Sequence, residues 1–150
     1  MHPRVVSLGV VFRDECILVQ ELSGRHSKGT GTHYRPIGGT IEYGEKSIDT
    51  VMREFDEEIG MAVEVIKYLG CIENIFTFDG QTGHDIDWVY AVRPTDKRLY
   101  SNDSFRVTEG DNVGVAKWIP IEAFRIGNLV LYPDGIINLL ECVGARFEWR

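Results

Sequence analysis

Hydrophobic residues along the chain fall into short runs separated by polar turns, a pattern that predicts β-strands. The runs are rich in Val, Ile, Leu and aromatic residues. They cover residues 5–12, 16–22, 33–37, 62–72, 86–92 and 113–119, and residues 74–78 are expected to continue the fourth run. The stretches 23–32 and 94–111 are polar and are expected to form loops, and long loops in compact domains are usually functional or mobile.

A helical periodicity begins near residue 47. Apolar residues recur there every three or four positions, on one face of a helix that covers residues 47–59 and is ended by Gly60. We expect this face to pack on a sheet, and it consists of Ile48, Val51, Met52, Phe55 and Ile59. Residues 120–124 predict a helical turn and residues 133–142 a final helix. Strands mixed with a few helices predict an α/β or α+β sandwich in a single domain over residues 1–150.

Composition and charge narrow the classes of function. With 43% hydrophobic and 26% charged residues, the composition of the chain is close to the average for globular proteins. The chain contains no apolar run long enough to span a membrane. Its net charge of −7 gives no general attraction for a nucleic-acid polymer, although a metal cation can join an acidic protein to a phosphate compound. Three scattered cysteines argue against a disulfide framework or zinc site. The first residues lack a signal-peptide pattern, so a cytoplasmic location is expected.

Three glutamates lie close together on the predicted helix. Glu54, Glu57 and Glu58 occupy positions i, i+3 and i+4, within an arc of about 100°. Their carboxylates repel one another, and they lie near the helix C-terminus, where the helix dipole disfavours anions. A divalent cation that prefers oxygen ligands, Mg²⁺ or Mn²⁺, would relieve both penalties. The alternative for this cluster alone is a solvated acidic face, which is the usual role of a charge run.

Gly38 and Gly39 precede this helix, where glycine lets the backbone approach a ligand, although an ordinary turn is the simpler explanation. The whole stretch resembles the Nudix box: Gly, five residues, Glu, seven residues, Arg-Glu, apolar, any residue, Glu-Glu, any residue, Gly, apolar. All nine specified positions match, at Gly39, Glu45, Arg53, Glu54, Phe55, Glu57, Glu58, Gly60 and Met61. A chance match at this spacing is very improbable.

The resemblance to the Nudix hydrolase family implies a fold and a set of roles. The fold would be an α/β/α sandwich with a mixed sheet, in which the box forms a catalytic loop-helix-loop. The ligands of a divalent metal, Mg²⁺ with Mn²⁺ as a substitute, would be Glu54, Glu57, Glu58 and the Gly39 carbonyl. Arg53 would pair with Glu45 and brace the loop against the helix, a role that suits the bidentate guanidinium.

The reaction that the resemblance implies is attack by water on a phosphorus of a nucleoside diphosphate linked to another moiety. The general base stays open between Glu54 and Glu57, acting through metal-bound water, with Glu109 as an outside candidate that could equally be a solvated loop acid. Tyr34 and Arg35, just before the box, are candidates to bind a base and a phosphate. Packing within the sheet is an equal alternative for Tyr34.

The substrate stays open as well. The features that mark particular substrates outside the box in this family are not evident, including the proline associated with ADP-ribose hydrolysis. Nucleoside triphosphates, oxidised nucleotides and nucleotide sugars all remain as substrates, and a homodimer is left open. The rival class is a Nudix-like module that senses a nucleotide without cleaving it, and the intact set of metal carboxylates argues against that class.

Overall fold

The computed structural model describes residues 2–143 as two main β-sheets, a small hairpin and three α-helices. The strands are β1 (Arg4–Val10), β2 (Phe12–Arg13), β3 (Cys16–Leu22), β4 (Arg25–His26), β5 (Gly29–Thr30), β6 (His33–Arg35), β7 (Ile37–Thr40), β8 (Val63–Phe78), β9 (Gln81–Pro94), β10 (Ser104–Glu109) and β11 (Asn112–Pro120). The helices are α1 (Ser47–Ile59), α2 (Ile121–Arg125), α3 (Ile136–Val143) and a 3-10 helix at Lys97–Ser101. Within the described residues, no helix is long and apolar enough to cross a membrane.

The first main sheet is mixed and has the strand order β7-β1-β9-β8. In it β1 runs parallel to β9 and antiparallel to β7, while β8 and β9 form a long antiparallel hairpin. The second sheet is antiparallel, with the order β10-β11-β3-β2 and with β6 paired to β3. A mixed sheet combined with few helices confirms the expected α/β class.

Two hydrophobic clusters form the core, one beneath α1 and one beneath α2 and α3. Phe55 of α1 belongs to the first cluster, and Leu140 of α3 belongs to the second. Successive residues of β9 alternate between them, since Tyr90 packs in the first cluster and Val89 in the second. The β-structure therefore lies between helices on both sides, as in the expected α/β/α sandwich.

Helix α1 packs closely on β1 because a glycine faces it. A Cβ on Gly9 would lie 2.8 Å from the Val51 Cγ2 and would also strike the Phe55 ring. The start of α1 is held to the same strand by the buried Ser7, whose Oγ donates a hydrogen bond to the Ser47 carbonyl at 2.7 Å. These contacts fix the rotation of α1, and the rotation determines which of its glutamates face inward.

The buried face of α1 differs from the expected one. Ile48 is 39% exposed, whereas Thr50 and Glu58 are buried together with Val51 and Phe55. Because Phe55 is fully buried, the residue three positions further along the same face is carried inward with it. The helix therefore presents Glu58, rather than Ile48, to the interior.

Two loop predictions were wrong, and one predicted strand is divided. The stretch 23–32 contains the small hairpin of β4 and β5. The stretch 94–111 contains the 3-10 helix and β10, in which Phe105 and Val107 are buried between exposed neighbours. Only two apolar residues mark this strand, so its polar residues dominated the sequence pattern. The stretch 33–37 is divided at Pro36 between β6 and β7, which belong to different sheets. Proline lacks the N–H that a continuous ladder needs at this point.

Candidate active site

A cleft of about 600 Å³ opens beside α1. Its volume is within the range typical of sites that bind small ligands. Residues of β1, β7, β8 and β9 line it on the side of the mixed sheet, while α1, β6 and β10 contribute to its walls. Its arginines are Arg4, Arg25 and Arg35. Its carboxylates are Glu42, Glu54, Glu58, Asp85, Asp87 and Glu109. This cleft gathers acids that are far apart in the sequence.

Glu54 and Glu58 reach the cleft from the C-terminal half of α1. Glu58 is only 6% exposed, and the side chain of Glu54 is 13% exposed. The helix ends directly after them because Gly60 adopts a left-handed φ of 63° and donates its N–H to the Asp56 carbonyl at 3.0 Å. The last turn of α1 has no basic residue, so the negative end of the helix dipole adds to the repulsion between these acids.

Gly38 and Gly39 lie in β7 rather than in a turn, and each is needed for a different reason. A Cβ on Gly38 would lie 2.8 Å from the Leu8 Cα, so close pairing with β1 requires glycine there. A Cβ on Gly39 would instead lie 2.5 Å from the Glu54 Cδ. Glycine at position 39 therefore allows the Glu54 carboxylate to rest directly against the strand.

Arg53 holds the loop before α1 to the helix. Its Nε and Nη2 donate to the Glu45 Oε2 and Oε1 at 2.8 and 2.9 Å, and Thr50 Oγ1 donates to the same carboxylate at 2.6 Å. These bonds, that of Arg53 above all, lower the pKa of Glu45 to about 2. Arg53 Nη1 also donates to Glu54 at 3.0 Å and to Glu57 at 3.2 Å. One guanidinium thus orients three carboxylates around the loop-helix junction.

Comparison with known proteins identifies the family, because the model of the NUDIX domain matches residues 1–139. The chain belongs to this family. The expectation of a Nudix-type hydrolase is confirmed by this match at the level of the family. No curated protein sequence matches the chain.

Solved Nudix structures share the fold at low sequence identity. A MutT NUDIX hydrolase from Burkholderia pseudomallei superposes with a TM-score of 0.66 at 23% identity, covering 95% of this chain and 99% of that one. A NUDIX hydrolase from Nitrosomonas europaea gives 0.62 at 20% identity, with coverage of 93% and 87%. An ADP-ribose pyrophosphatase from Streptococcus suis gives 0.59 at 13% identity, with coverage of 98% and 97%. At these identities the likeness shows the Nudix fold alone.

The Nudix family implies a divalent cation, and the acidic end of the cleft has ligands suited to one. Burial, together with the nearby charges of Glu109 and Glu54, raises the pKa of Glu58 to about 8. A cation there would favour the charged carboxylates. Among residues 2–143, no three Asp, Glu, His or Cys side chains converge into a complete cage. Mg²⁺ needs no such cage, since it usually keeps several waters and binds one or two carboxylates together with substrate phosphates. The donor set therefore fits.

The remaining site residues predicted from the sequence separate into two groups. Arg35 and Glu109 line the cleft, and Arg35 Nη2 donates to both Glu109 oxygens at 3.0 and 2.8 Å. Tyr34 is 5% exposed and packs in the core against Phe124, and it does not line the cleft. The Glu57 side chain is 57% exposed and also lies outside the lining. The predicted residues that share the cleft are Gly39, Glu54, Glu58, Arg35 and Glu109.

The cleft also contains Asp87 and Phe76, which the sequence did not single out. Asp87 of β9 lines it and is 3% exposed, and burial raises the pKa of this carboxyl to about 7. Asp85 lies two residues earlier on the same face and forms an ion pair with Arg4 at 3.0 Å. Phe76 lines the cleft from the adjacent strand β8. An acid inside an otherwise apolar strand is the pattern that could have identified Asp87, because buried acids are rare without a function or partner.

Proposed function

We propose that this protein hydrolyses a phosphoanhydride bond in a nucleoside diphosphate linked to another moiety, with Mg²⁺ or Mn²⁺ as its cofactor. Nucleoside triphosphates, oxidised nucleotides and nucleotide sugars are the substrates of this class. The observation that carries the proposal is a complete Nudix box in which Glu54 and Glu58 line a ligand-sized cleft. The proposed activity belongs to a single domain that acts on small nucleotides and not on a nucleic-acid polymer.

The charges of the cleft support a phosphate substrate that is accompanied by a cation. Glu54, Glu58 and Glu109 would repel a phosphate by themselves, and a cation reverses that interaction. The positive charge of Arg35 acts to lower the pKa of Glu58, against the burial and the acids that raise it. Its side chain is 36% exposed, so it can exchange Glu109 for a substrate phosphate and bind that phosphate through the guanidinium fork. We therefore assign Arg35 to the substrate.

The remaining roles divide between ligands and positioning residues. Glu54, Glu58 and the Gly39 carbonyl would hold the cation, and Glu57 would join them if it left Arg53. A bound cation neutralises phosphate charge and lowers the pKa of the attacking water. Arg53 is a positioning residue, because it orients Glu54 while its bidentate pair with Glu45 fixes the loop. Glu54, Glu57 and Glu109 are the acids proposed to accept the proton of the water.

The proposal is tested by assaying a panel of nucleoside triphosphates and nucleotide sugars with Mg²⁺, for the wild type and for Glu54→Gln. We expect hydrolysis by the wild type and a loss of at least about 10²-fold in the variant, the size of effect seen when a transition-state contact is removed. Asp56→Asn is the matched control, since Asp56 is an exposed acid on the same helix that does not line the cleft. It should retain wild-type turnover.

Two further readouts identify the class of reaction. Hydrolysis in H₂¹⁸O should place one ¹⁸O on a phosphate, because water attacks phosphorus. Label on a sugar carbon would instead indicate cleavage of a C–O bond and would contradict the proposal. Nucleotides that bind without being cleaved, in the presence of Mg²⁺ or Mn²⁺, would support the nucleotide-sensing module in place of an enzyme.

A further inference from the structure

Two histidines line the cleft, and neither belongs to the Nudix box. His26 lies in β4 of the small hairpin and His33 lies in β6, and the centroids of their rings are 4.5 Å apart. Tyr132, which also lines the cleft, has its ring centroid 5.6 Å from that of His26 and 5.8 Å from that of His33. We call these three residues the ring cluster. It brings together aromatic side chains from three separate segments of the chain.

The ring cluster lies next to the arginine that we assign to the substrate phosphate. His33 and Arg35 are two residues apart on β6, so their side chains face the same side and their Cα atoms are about 7 Å apart. Arg35 marks the acidic end of the cleft, because its Nη2 pairs with Glu109 at 2.8 Å and its charge acts on Glu58. The cleft therefore runs from Glu58 past Arg35 to the ring cluster.

The hydrogen bonds of Tyr132 determine the tautomer of His26. The phenol oxygen accepts from the Lys28 N–H at 3.1 Å and from the Ser27 Oγ at 3.2 Å. Both lone pairs of this oxygen are then used, so its own proton is directed at the His26 Nδ1, 2.6 Å away. In the neutral ring the proton of His26 must therefore be on Nε2, which makes this nitrogen a donor. Burial, followed by the charges of His33 and Lys28, lowers the pKa of His26 and favours that neutral ring.

His33 has the opposite tautomer. Its Nδ1 lies 3.1 Å from the Gly31 carbonyl oxygen, which can only accept, so Nδ1 carries the proton and the Nε2 of the neutral ring is an acceptor. Within residues 2–143 no hydrogen bond engages the Nε2 of His26 or of His33, and neither atom is sealed from solvent. The two adjacent rings therefore offer a ligand one donor and one acceptor.

Aromatic side chains also line the cleft from the mixed sheet. Phe76 and Phe78 contribute to it from β8. Arg25, the neighbour of His26 in β4, has its Cζ 5.5 Å from the centroid of the Phe78 ring, so the small hairpin and the end of β8 approach each other here. Aromatic residues on two walls suit a flat heteroaromatic ring. A donor beside an acceptor suits the edge of a nucleobase, which carries both kinds of group, whereas a phosphate would need donors alone.

We propose that His26 and His33 are specificity-determining residues, which bind the hydrogen-bonding edge of the substrate's nucleobase while Arg35 binds its phosphate. This inference rests on the proposed function, because it assumes that the substrate is a nucleotide. The separation of about 7 Å between Arg35 and His33 along β6 is of the size that separates the phosphate and the base within one nucleotide.

Calorimetry in Mg²⁺ tests the proposal without requiring turnover, by comparing nucleoside 5′-monophosphates with ribose 5-phosphate, which lacks a base. The wild type should bind the best of AMP, GMP, CMP and UMP at least about tenfold more tightly than ribose 5-phosphate. His26→Phe and His33→Phe keep a flat ring without its nitrogens, so each should reduce this advantage by about fivefold and leave the binding of ribose 5-phosphate nearly unchanged. His2→Phe is the matched control, because His2 is exposed and lies outside the cleft lining.

A conservative variant and the hydrolysis assay complete the test. His33→Gln restores an acceptor through its amide oxygen, so it should keep more of the advantage than His33→Phe does. Equal binding of the nucleotides and ribose 5-phosphate by the wild type, or an unchanged advantage in folded His26→Phe and His33→Phe, would overturn the inference. If the wild type hydrolyses nucleotides and the histidine variants keep the full advantage, the proposed function stands and the inference fails. Binding that depends on both histidines without any hydrolysis would support the inference and contradict the proposed function.

Discussion

Gly39→Ala is the substitution whose effect on the site can be worked out most directly from the structure. The added methyl would lie 2.5 Å from the Glu54 Cδ, whereas ordinary van der Waals contact begins at 3.4 Å. The carboxylate must therefore move by about 1 Å or change rotamer. The backbone of Gly39 pairs regularly with Ser7 of β1 and does not have a positive φ, so alanine introduces no backbone strain.

The expected result is a large loss of turnover with little loss of stability. A misplacement of about 1 Å in a catalytic group can lower a rate by about 10²-fold, so we expect kcat to fall by about that factor. The midpoint of urea unfolding without metal should change little, because a partly exposed carboxylate can rotate away. The measurements are steady-state hydrolysis of the best nucleotide in the panel and urea unfolding in EDTA.

Two comparisons test whether displacement of the Glu54 carboxylate causes the loss of turnover. Gly114→Ala is the control, because a Cβ there meets only the Gln20 Nε2 at an ordinary 3.8 Å, and it should leave kcat unchanged. In a Glu54→Gln background, Gly39→Ala should cost little more, since both changes act on the same carboxylate. Wild-type turnover by a folded Gly39→Ala would show that the position of Glu54 is unimportant for the reaction.

Three further outcomes are expected. The stability losses of Arg53→Ala and Glu45→Ala should be non-additive in a double-mutant cycle followed by urea unfolding, because each removes the same bidentate pair, and additive losses would mean that the pair contributes nothing. Mg²⁺ should raise the Tm of the wild type but not that of Glu54→Gln/Glu58→Gln, because binding to the native state alone stabilises it; equal shifts would place the cation elsewhere. In EDTA, the free energy of unfolding should fall as the pH rises from about 4 to about 7. The folded pKa of Asp87, about 7, exceeds its ordinary 3.8, so the folded protein keeps a proton that the unfolded chain releases. Asp87→Asn should reduce this slope, and an unchanged slope would argue against a buried carboxyl.

The sequence was informative where local spacing determines structure. The period of the apolar residues defined helix α1 with both of its ends, because the bounds at Ser47 and Ile59 follow from a repeat and a glycine stop. The resemblance to the Nudix box likewise implied the pairing of Arg53 with Glu45, which are eight residues apart and are joined at 2.8 Å. Interactions within one helix and the loop before it are nearly determined by the order of the residues.

The sequence was less informative where the site depends on contacts between strands. Asp87 approaches the box because β9 is parallel to β1 and β1 is antiparallel to β7, a topology that no local pattern specifies. The side chain of Tyr34 enters the core while that of its neighbour Arg35 lines the cleft, because successive residues of a strand face opposite sides. Their strand was predicted, but the face on which the cleft lies depends on the whole fold.

The arrangement of charges around Arg53 leaves one of the neighbouring acids without a cationic partner. Arg53 contacts Glu45, Glu54 and Glu57, and these contacts offset much of the negative charge of the loop-helix junction. Within residues 2–143 no ion pair joins it to Glu58, which is the most buried of the four acids. The charge that burial and neighbouring acids oppose is thus concentrated at Glu58, on the side of the cleft where Arg35 and Glu109 meet. A cation placed there would relieve the repulsion at Glu58, and Arg53 could keep the loop in place whether or not the metal is bound. Because Arg53 holds the loop while the cation would act at Glu58, we expect removal of metal to abolish activity without unfolding the box.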